Sequence, residues 1–258
     1  MAASAGNQFS RLVELYLSPT LQNLPPEAGR AELEVRFGTR DYRKITQIQY
    51  DQVIQKIKSV GFKLKTSEKI LRVSLQDPEY RNIRVQIKGE NLISEYCKTN
   101  MVVHSNNDIF ATFEIKEPFK ENKQRIRYAD FNEFNFRVAL QNERMIPLED
   151  ELVRKMISEW SDIKKTFRYI HRVSLVHDEY PVQIDFSVVK SSKKRGRQFI
   201  PTYTFLDADV LNQPEVYEIE IEVISSKASE STAEKLMAIV KKMIKYVLQG
   251  LQGTNYPV

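Results

Sequence analysis

Two acidic stretches stand near opposite ends of the 258-residue chain. The first places Glu32, Glu34 and Arg36 at alternate positions, and the second places Glu218, Glu220 and Glu222 likewise. In a β-strand, successive side chains point to opposite faces, so each set shares one face. Leu33, Val35 and Phe37 then lie opposite the first set, and Ile219, Ile221 and Val223 opposite the second. Were the two acidic faces to meet, they would form a carboxylate cluster that holds together only around something cationic. The donors would all be oxygen, which suits Mg²⁺ or Mn²⁺ rather than zinc. No Cys/His cluster and no HExxH helix competes with them, and His104, His171 and His177 are not spaced like a site.

Basic residues recur with the same two-residue period in between. Arg84 shares a face with Lys88, Glu114 with Lys116, Arg168 with Arg172, and Asp185 with Gln183 and Ser187. The opposite faces are continuously apolar, as in Ile184, Phe186 and Val188. A flat sheet with salt-bridged solvent faces would satisfy this pattern. So would a closed antiparallel barrel whose apolar surface is turned outward under helices and whose charges line the interior; closure removes exposed strand edges. The strongest charge run holds Lys190, Lys193, Lys194, Arg195 and Arg197 between two expected strands. It reads either as a solvated hairpin tip or as a loop that touches RNA.

The elements that must carry these residues follow from periodicity. Helices are expected over residues 8–17, 46–60 (capped by Thr46 and stopped by Gly61), 148–160 and 231–248, the last opened by a capping-box sequence from Ser231 to Glu234. Ser18-Pro19 ends the first helix, Pro25-Pro26 marks a loop, and Gly250 and Gly253 follow the last helix. Strands are expected over residues 31–37, 70–74, 82–88, 110–117, 134–140, 167–177, 182–189, 203–206 and 217–224, with a short element of open type at 92–96. Trp160 reads as core. The expectation is one α+β domain spanning residues 1–258.

Composition sets outer bounds. The formal net charge is +5, so the acidic stretches are a local feature of a basic chain, and a polyanionic partner is favoured. A single cysteine, Cys97, rules out a disulfide within the chain and makes a reducing compartment the default. No apolar run reaches membrane-spanning length, and residues 1–7 lack the pattern of a signal peptide. There is no P-loop and no GxGxxG. The Lys-x-Asp-Gly motif of a guanylyltransferase nucleophile is also missing.

The stretches ELEVRFG (residues 32–38), VQIDFSVVKSS (182–192) and YEIEIEV (217–223) resemble the triphosphate tunnel metalloenzymes. They are most similar to the metal-dependent RNA triphosphatases of fungi and of large-DNA-virus mRNA-capping enzymes. The resemblance runs from about residue 31 to 248. It implies an eight-stranded antiparallel β-barrel flanked by helices, with Mg²⁺ or Mn²⁺ held by Glu32, Glu34, Glu220 and Glu222. Arg36, Arg84, Lys116, Arg168 and Arg172 would grip a triphosphate. Asp185 matches the family's acidic residue on a later strand, Arg172 would act on the reacting phosphate, and Glu218 would position the attacking water. The reaction implied is removal of the γ-phosphate from 5′-triphosphate RNA, the first step of mRNA capping, in a cytoplasmic viral factory or a virion. A guanylyltransferase domain or subunit would be the partner. The chain departs from the family where Ile170 and Gln183 replace basic residues. Two other readings share these features: a tunnel hydrolase acting on nucleoside triphosphate, thiamine triphosphate or tripolyphosphate, and a basic RNA-binding scaffold with a degenerate tunnel.

Overall fold

Strands with one charged and one apolar face cannot leave the apolar face in water. Here they close into a ring and turn it outward beneath two layers of helices. The computed structural model describes residues 2–25, 28–39, 43–106, 108–121, 124–229 and 231–252. The barrel strands are β1 (Arg30–Phe37), β2 (Lys63–Leu75), β3 (Ile83–Lys88), β4 (Thr112–Pro118), β5 (Phe136–Ile146), β6 (Lys165–Val176), β7 (Val182–Ser191) and β8 (Val216–Val223). Their order around the ring is β1-β8-β7-β6-β2-β3-β4-β5, and β5 pairs back onto β1. Every pairing is antiparallel. The expected α+β fold with an eight-stranded antiparallel barrel is therefore the one found.

Five longer helices support the ring: α1 (Ala2–Tyr16), α2 (Gln47–Ser59), α3 (Glu90–Thr99), α4 (Glu151–Ser158) and α5 (Ala233–Gln252). On one side, α1, α2 and α5 bury Leu12, Val53, Val240 and Val247 against Leu33, Val35, Ile184, Phe186, Ile219 and Ile221 of β1, β7 and β8. On the other side, α3, α4 and Trp160 cover Leu71, Val73, Val85, Phe113 and Phe167 of β2, β3, β4 and β6. Each layer removes several large aliphatic and aromatic side chains from water, about 1.5–3 kcal/mol apiece. Trp160 is fully buried, as expected, and donates its Nε1–H to the Asn100 carbonyl at 2.8 Å. No helix among the described residues is long and apolar enough to cross a membrane.

Several boundaries differ from the sequence-based expectation, each for a local reason. Helix α2 keeps its expected bounds, capped by Thr46 and Gln49 in a reciprocal capping box, with Gly61 beyond it at φ 98°. The first helix already begins at Ala2, and a short turn of helix at Pro19–Gln22 comes after it. The element at residues 92–96 is the helix α3, closed by Asn100 in the left-handed conformation. Helix α4 begins later than expected because Asp150 accepts the Leu152 N–H; a 3₁₀ turn at Trp160–Asp162 succeeds it. Thr232, not Ser231, caps α5, since its Oγ1 accepts from the Lys235 N–H at 3.2 Å. Residues 203–206 form turns rather than a strand. The Thr204 hydroxyl accepts the Asp207 N–H, Asn100 Oδ1 accepts the Phe205 N–H, and Thr202 bridges to the barrel at Lys165. Pro26 and Gly253 lie outside the described residues.

Gly250 does not end the last helix, which continues to Gln252. It is buried where α5 crosses α2, and a Cβ placed on it would stand 2.7 Å from Val53 Cα. Gly6 on α1 has nothing within 4 Å of the same position. Gly250→Ala is therefore expected to destabilise the fold by about 1–3 kcal/mol through forced separation of the helices. Gly6→Ala should leave stability unchanged or raise it by up to about 1 kcal/mol. Thermal melting of the two variants checks the pair, and equal melting temperatures would show that α2 and α5 do not pack this closely.

Candidate active site

The barrel interior is a cavity of about 300 Å³, room for roughly ten water molecules. Among the described residues its lining carries nine basic and nine acidic side chains, so a basic protein encloses a tunnel of balanced charge. The strand registers explain how it assembles. β1 and β8 are neighbours, with Glu34 opposite Glu222 and Arg36 opposite Glu220. β8 in turn lies beside β7, with Glu220 opposite Asp185 and Glu218 opposite Ser187. The two acidic stretches, 180 or more residues apart in sequence, thus form one continuous acidic wall.

Each acid on that wall is clasped by a cation. Lys116 donates to Glu32 and, at 3.1 Å, to Glu34, whose other oxygen accepts from Gln141 at 2.7 Å. Arg36 Nε donates to Glu220 at 2.6 Å, and Arg172 reaches the second Glu220 oxygen at 3.2 Å and Asp185 at 3.4 Å. Arg168 grips both oxygens of Glu218, at 2.7 and 2.8 Å. Arg30 stands 3.1 Å from Glu222 and 3.6 Å from Glu143. Burial works against the Glu220 carboxylate, but Arg36, Arg172 and Lys116 outweigh it and hold its pKa far below the usual range. Burial likewise disfavours the Lys116 ammonium, yet Glu34 and Glu32 push it up to about 12. Burial raises Asp185 despite the pull of Arg172.

In two groups burial outweighs the partners. Glu222 is pushed up to about 8, by burial and then by the neighbouring Glu32, against the pull of Arg30. Arg72 is lowered to about 10, by burial and then by Arg84, Arg168 and Arg172. Arg72 and Arg84 form no ion pair among the described residues, and Arg72 Nε has no hydrogen-bond partner. Glu114, which faces Arg84 across β3 and β4, is buried with one carboxylate oxygen unpartnered. The acidic wall is thus short of positive charge at Glu222, and the facing wall of β2, β3 and β6 has unneutralised guanidinium.

Every residue expected to act inside the tunnel does line it: Glu32, Glu34, Glu218, Glu220 and Glu222 on the acidic wall, Asp185 beside them, and Arg36, Arg84, Lys116, Arg168 and Arg172 around them. Lys193, Lys194, Arg195 and Arg197 do not line it, and the last three project from an exposed hairpin. Sequence reasoning passed over Arg72, because the pairing of its strand with β6 is not written in the alternation; Arg72 lies directly opposite Arg168. Arg30 and Glu143 were missed because β1 and β5 extend beyond the expected limits. The two departures from the family pattern also find their places. Gln183 donates to Asp185 and accepts from Lys65, so a cation from β2 serves where a basic side chain was absent. Ile170 packs with Ile70 and Val189 in a small apolar cluster on inward-facing positions of β2, β6 and β7.

No group of three acidic, imidazole or thiol side chains among the described residues is gathered as a ready metal cage. The donor chemistry nevertheless fits a hard divalent cation. Glu32, Glu34, Glu220 and Glu222 offer only oxygen, from adjacent strands, and added positive charge would offset the burial and the neighbouring Glu32 that raise Glu222.

The chain matches no protein-family model and no curated protein sequence. Among solved structures it is similar to the RNA triphosphatase domain of the mimivirus mRNA capping enzyme, with TM-score 0.60 and 15% identity over 94% of this chain and 97% of that one. A triclinic structure of the mimivirus capping enzyme triphosphatase gives TM-score 0.56 at 15% identity, over 94% and 96%. The S. pombe Pct1 RNA triphosphatase gives 0.50 at 13%, over 93% and 90%. The helix-flanked, eight-stranded tunnel of this chain is the fold of those triphosphatase domains.

Proposed function

We propose that this chain is a metal-dependent RNA 5′-triphosphatase that releases the γ-phosphate of a 5′-triphosphate end. The observation that carries this reading is the division of the tunnel. One wall gathers carboxylates suited to a divalent cation, and the facing wall holds Arg72 and Arg84, which form no ion pair among the described residues. A triphosphate with its cation brings negative charge to the arginines and positive charge to the carboxylates. Held by Glu32, Glu34, Glu220 and Glu222, a bound Mg²⁺ or Mn²⁺ would neutralise and orient phosphate oxygens.

The protein's own groups do the rest. Arg72, Arg84 and Arg168 receive the phosphates nearest the nucleoside, and Arg172 and Lys116 face the terminal one. Arg168 donates to both carboxylate oxygens of Glu218. When Arg168 turns to phosphate, Glu218 is freed to accept a proton from the attacking water. Water oxygen bonds to the γ-phosphorus, the bond to the β,γ-bridging oxygen breaks, and inorganic phosphate leaves a 5′-diphosphate end. Once turned to phosphate, the guanidinium and ammonium groups stabilise charge on the transferred group. The RNA substrate distinguishes this reading from hydrolysis of free nucleotide, thiamine triphosphate or tripolyphosphate. A guanylyltransferase domain or subunit would then act on the diphosphate end, in a viral factory or virion.

Three outcomes are expected. Glu34→Ala and Glu220→Ala should each lower metal-dependent γ-phosphate release from triphosphate RNA by about 100-fold or more, with circular dichroism unchanged. Near-normal turnover in both would sink the metal-site reading, and faster release from tripolyphosphate than from RNA would sink the substrate assignment.

Arg72→Ala should raise KM for triphosphate RNA by at least about tenfold while the melting temperature holds or rises, because the side chain gives up no ion pair. A marked loss of stability with unchanged KM would make Arg72 structural.

Glu222 provides a pH signature in the metal-free protein. Its folded-state pKa, about 8, lies above the ordinary value of 4.5. The contribution to stability is full below about 4.5 and is lost as pH rises through 8. Glu222→Gln should therefore melt like the wild type at pH 5 and several degrees higher at pH 9. Identical melting curves at both pH values would contradict it.

A further inference from the structure

The basic run that does not line the tunnel is placed at one end of it. β7 runs from Val182, opposite Val223 of the acidic strand, to Ser191, opposite Arg168. Arg168 in turn faces Arg72 across β6 and β2. The chain leaves β7 at this arginine end, where Ser192 Oγ accepts the Phe167 N–H at 2.8 Å and so anchors the base of a hairpin. Lys194–Arg195 then pairs with Gln198–Phe199. Gly196 takes φ 62°, the positive value that the first position of a tight hairpin loop needs. Two residues separate Ser191 from Lys194, so the hairpin begins within about 10 Å of the arginine rung.

Its surface combines cations with aromatic rings. Lys194 Nζ lies 4.6 Å from the Phe199 ring centroid. Beyond the hairpin, Thr202 bridges back to Lys165 at the start of β6, and Lys164 Nζ stands 5.5 Å from the Tyr203 ring. Phe199 is 37% exposed and Tyr203 49%. Arg195 and Arg197 are exposed, and no ion pair among the described residues neutralises them. Two solvent-facing rings flanked by free cations need a partner that offers flat π faces and negative charge together. Single-stranded nucleic acid does so: bases stack on the rings, and backbone phosphates meet the cations.

We infer that this hairpin and the adjoining Tyr203 form a second RNA site, which holds the first few nucleotides of the transcript as they leave the tunnel past Arg72 and Arg168. The inference rests on the triphosphate reading for its direction: the phosphate nearest the nucleoside lies at the arginine end, so the strand emerges beside Lys194, Arg195, Arg197, Phe199 and Tyr203. The site prefers a transcript to a free nucleotide because only the transcript reaches it, and it is tolerant of sequence because stacking and phosphate contacts read no base edges.

The test uses the whole chain and a 12-nucleotide 5′-triphosphate RNA, with binding followed by fluorescence anisotropy in EDTA so that turnover does not intervene. The triple variant Lys194→Ala, Arg195→Ala, Arg197→Ala should weaken binding at least about tenfold. It should also lower the slope of log Kd against log salt by about 0.7 for each cation removed. Phe199→Ala with Tyr203→Ala should weaken binding by a similar factor with little change in slope. In Mg²⁺ or Mn²⁺, both variants should hydrolyse free nucleoside triphosphate at the wild-type rate. 4-Thiouridine at nucleotides 2–4 should cross-link to the peptide spanning residues 194–203. Unchanged affinity and slope in both variants, cross-linking only at the opposite end of the barrel, or equal competition by a poly-glutamate peptide would each overturn the site. If the wild type releases no phosphate while the variants still lose RNA affinity, the tunnel's reaction is refuted and the hairpin stands as an RNA site. If phosphate is released and the variants bind RNA as the wild type does, the reverse holds.

Discussion

A carboxylate taken out of water without a cation beside it costs several kcal/mol, and this tunnel buries Glu32, Glu34, Glu114 and Asp185 almost completely. The pairing of buried acids with buried bases is the constraint on which the interior depends. Lys116 between Glu32 and Glu34, and Arg172 between Glu220 and Asp185, offset that cost by each serving two acids. Where burial outweighs the partners, at Glu222 and Arg72, the proton affinities move in the directions that weaken the charge. Those two groups lie on facing walls, which gives the cavity its polarity.

This arrangement inverts a soluble barrel. Polar residues fill the inside, so the usual core cannot lie there, and two separate apolar layers must form outside instead. That requirement explains the helices. α1, α2 and α5 serve the acidic strands β1, β7 and β8, while α3 and α4 serve β2, β3 and β4. The close crossing at Gly250 and Val53 brings α5 directly against α2. Rigid outer layers in turn hold the strand backbones, and the backbones hold the charged side chains in register.

Much of this was legible in the sequence because parity is a strong signal. The alternation of Glu218, Ile219, Glu220, Ile221 and Glu222 assigns an inward and an outward face with no knowledge of partners, and Thr46 with Gly61 bounds α2 by local chemistry. What alternation does not carry is which strand lies beside which. Arg72 became a tunnel residue only through its register with Arg168, and Glu143 only because β5 runs six residues past Leu140. The turns at residues 203–206 were hidden for a different reason: backbone hydrogen bonds to Thr204 Oγ1 and Asn100 Oδ1 override the extended tendency of Tyr203 and Phe205. Gly250 showed the opposite error, a residue type associated with helix ends used instead for a close helix crossing.

The return of β5 onto β1 has a consequence beyond the absence of free edges. In an open sheet one strand can slip along its neighbour by two residues and keep its faces correct. In a closed ring the offsets between neighbours add up around the circumference to a fixed total, so no strand can slide alone. Glu34 stays level with Glu222, and Arg72 with Arg168, because any drift would have to be shared by all eight strands at once. The angular and axial lattice of charges in the tunnel is thereby set by topology, and a substitution on the wall changes one lattice point without shifting the others.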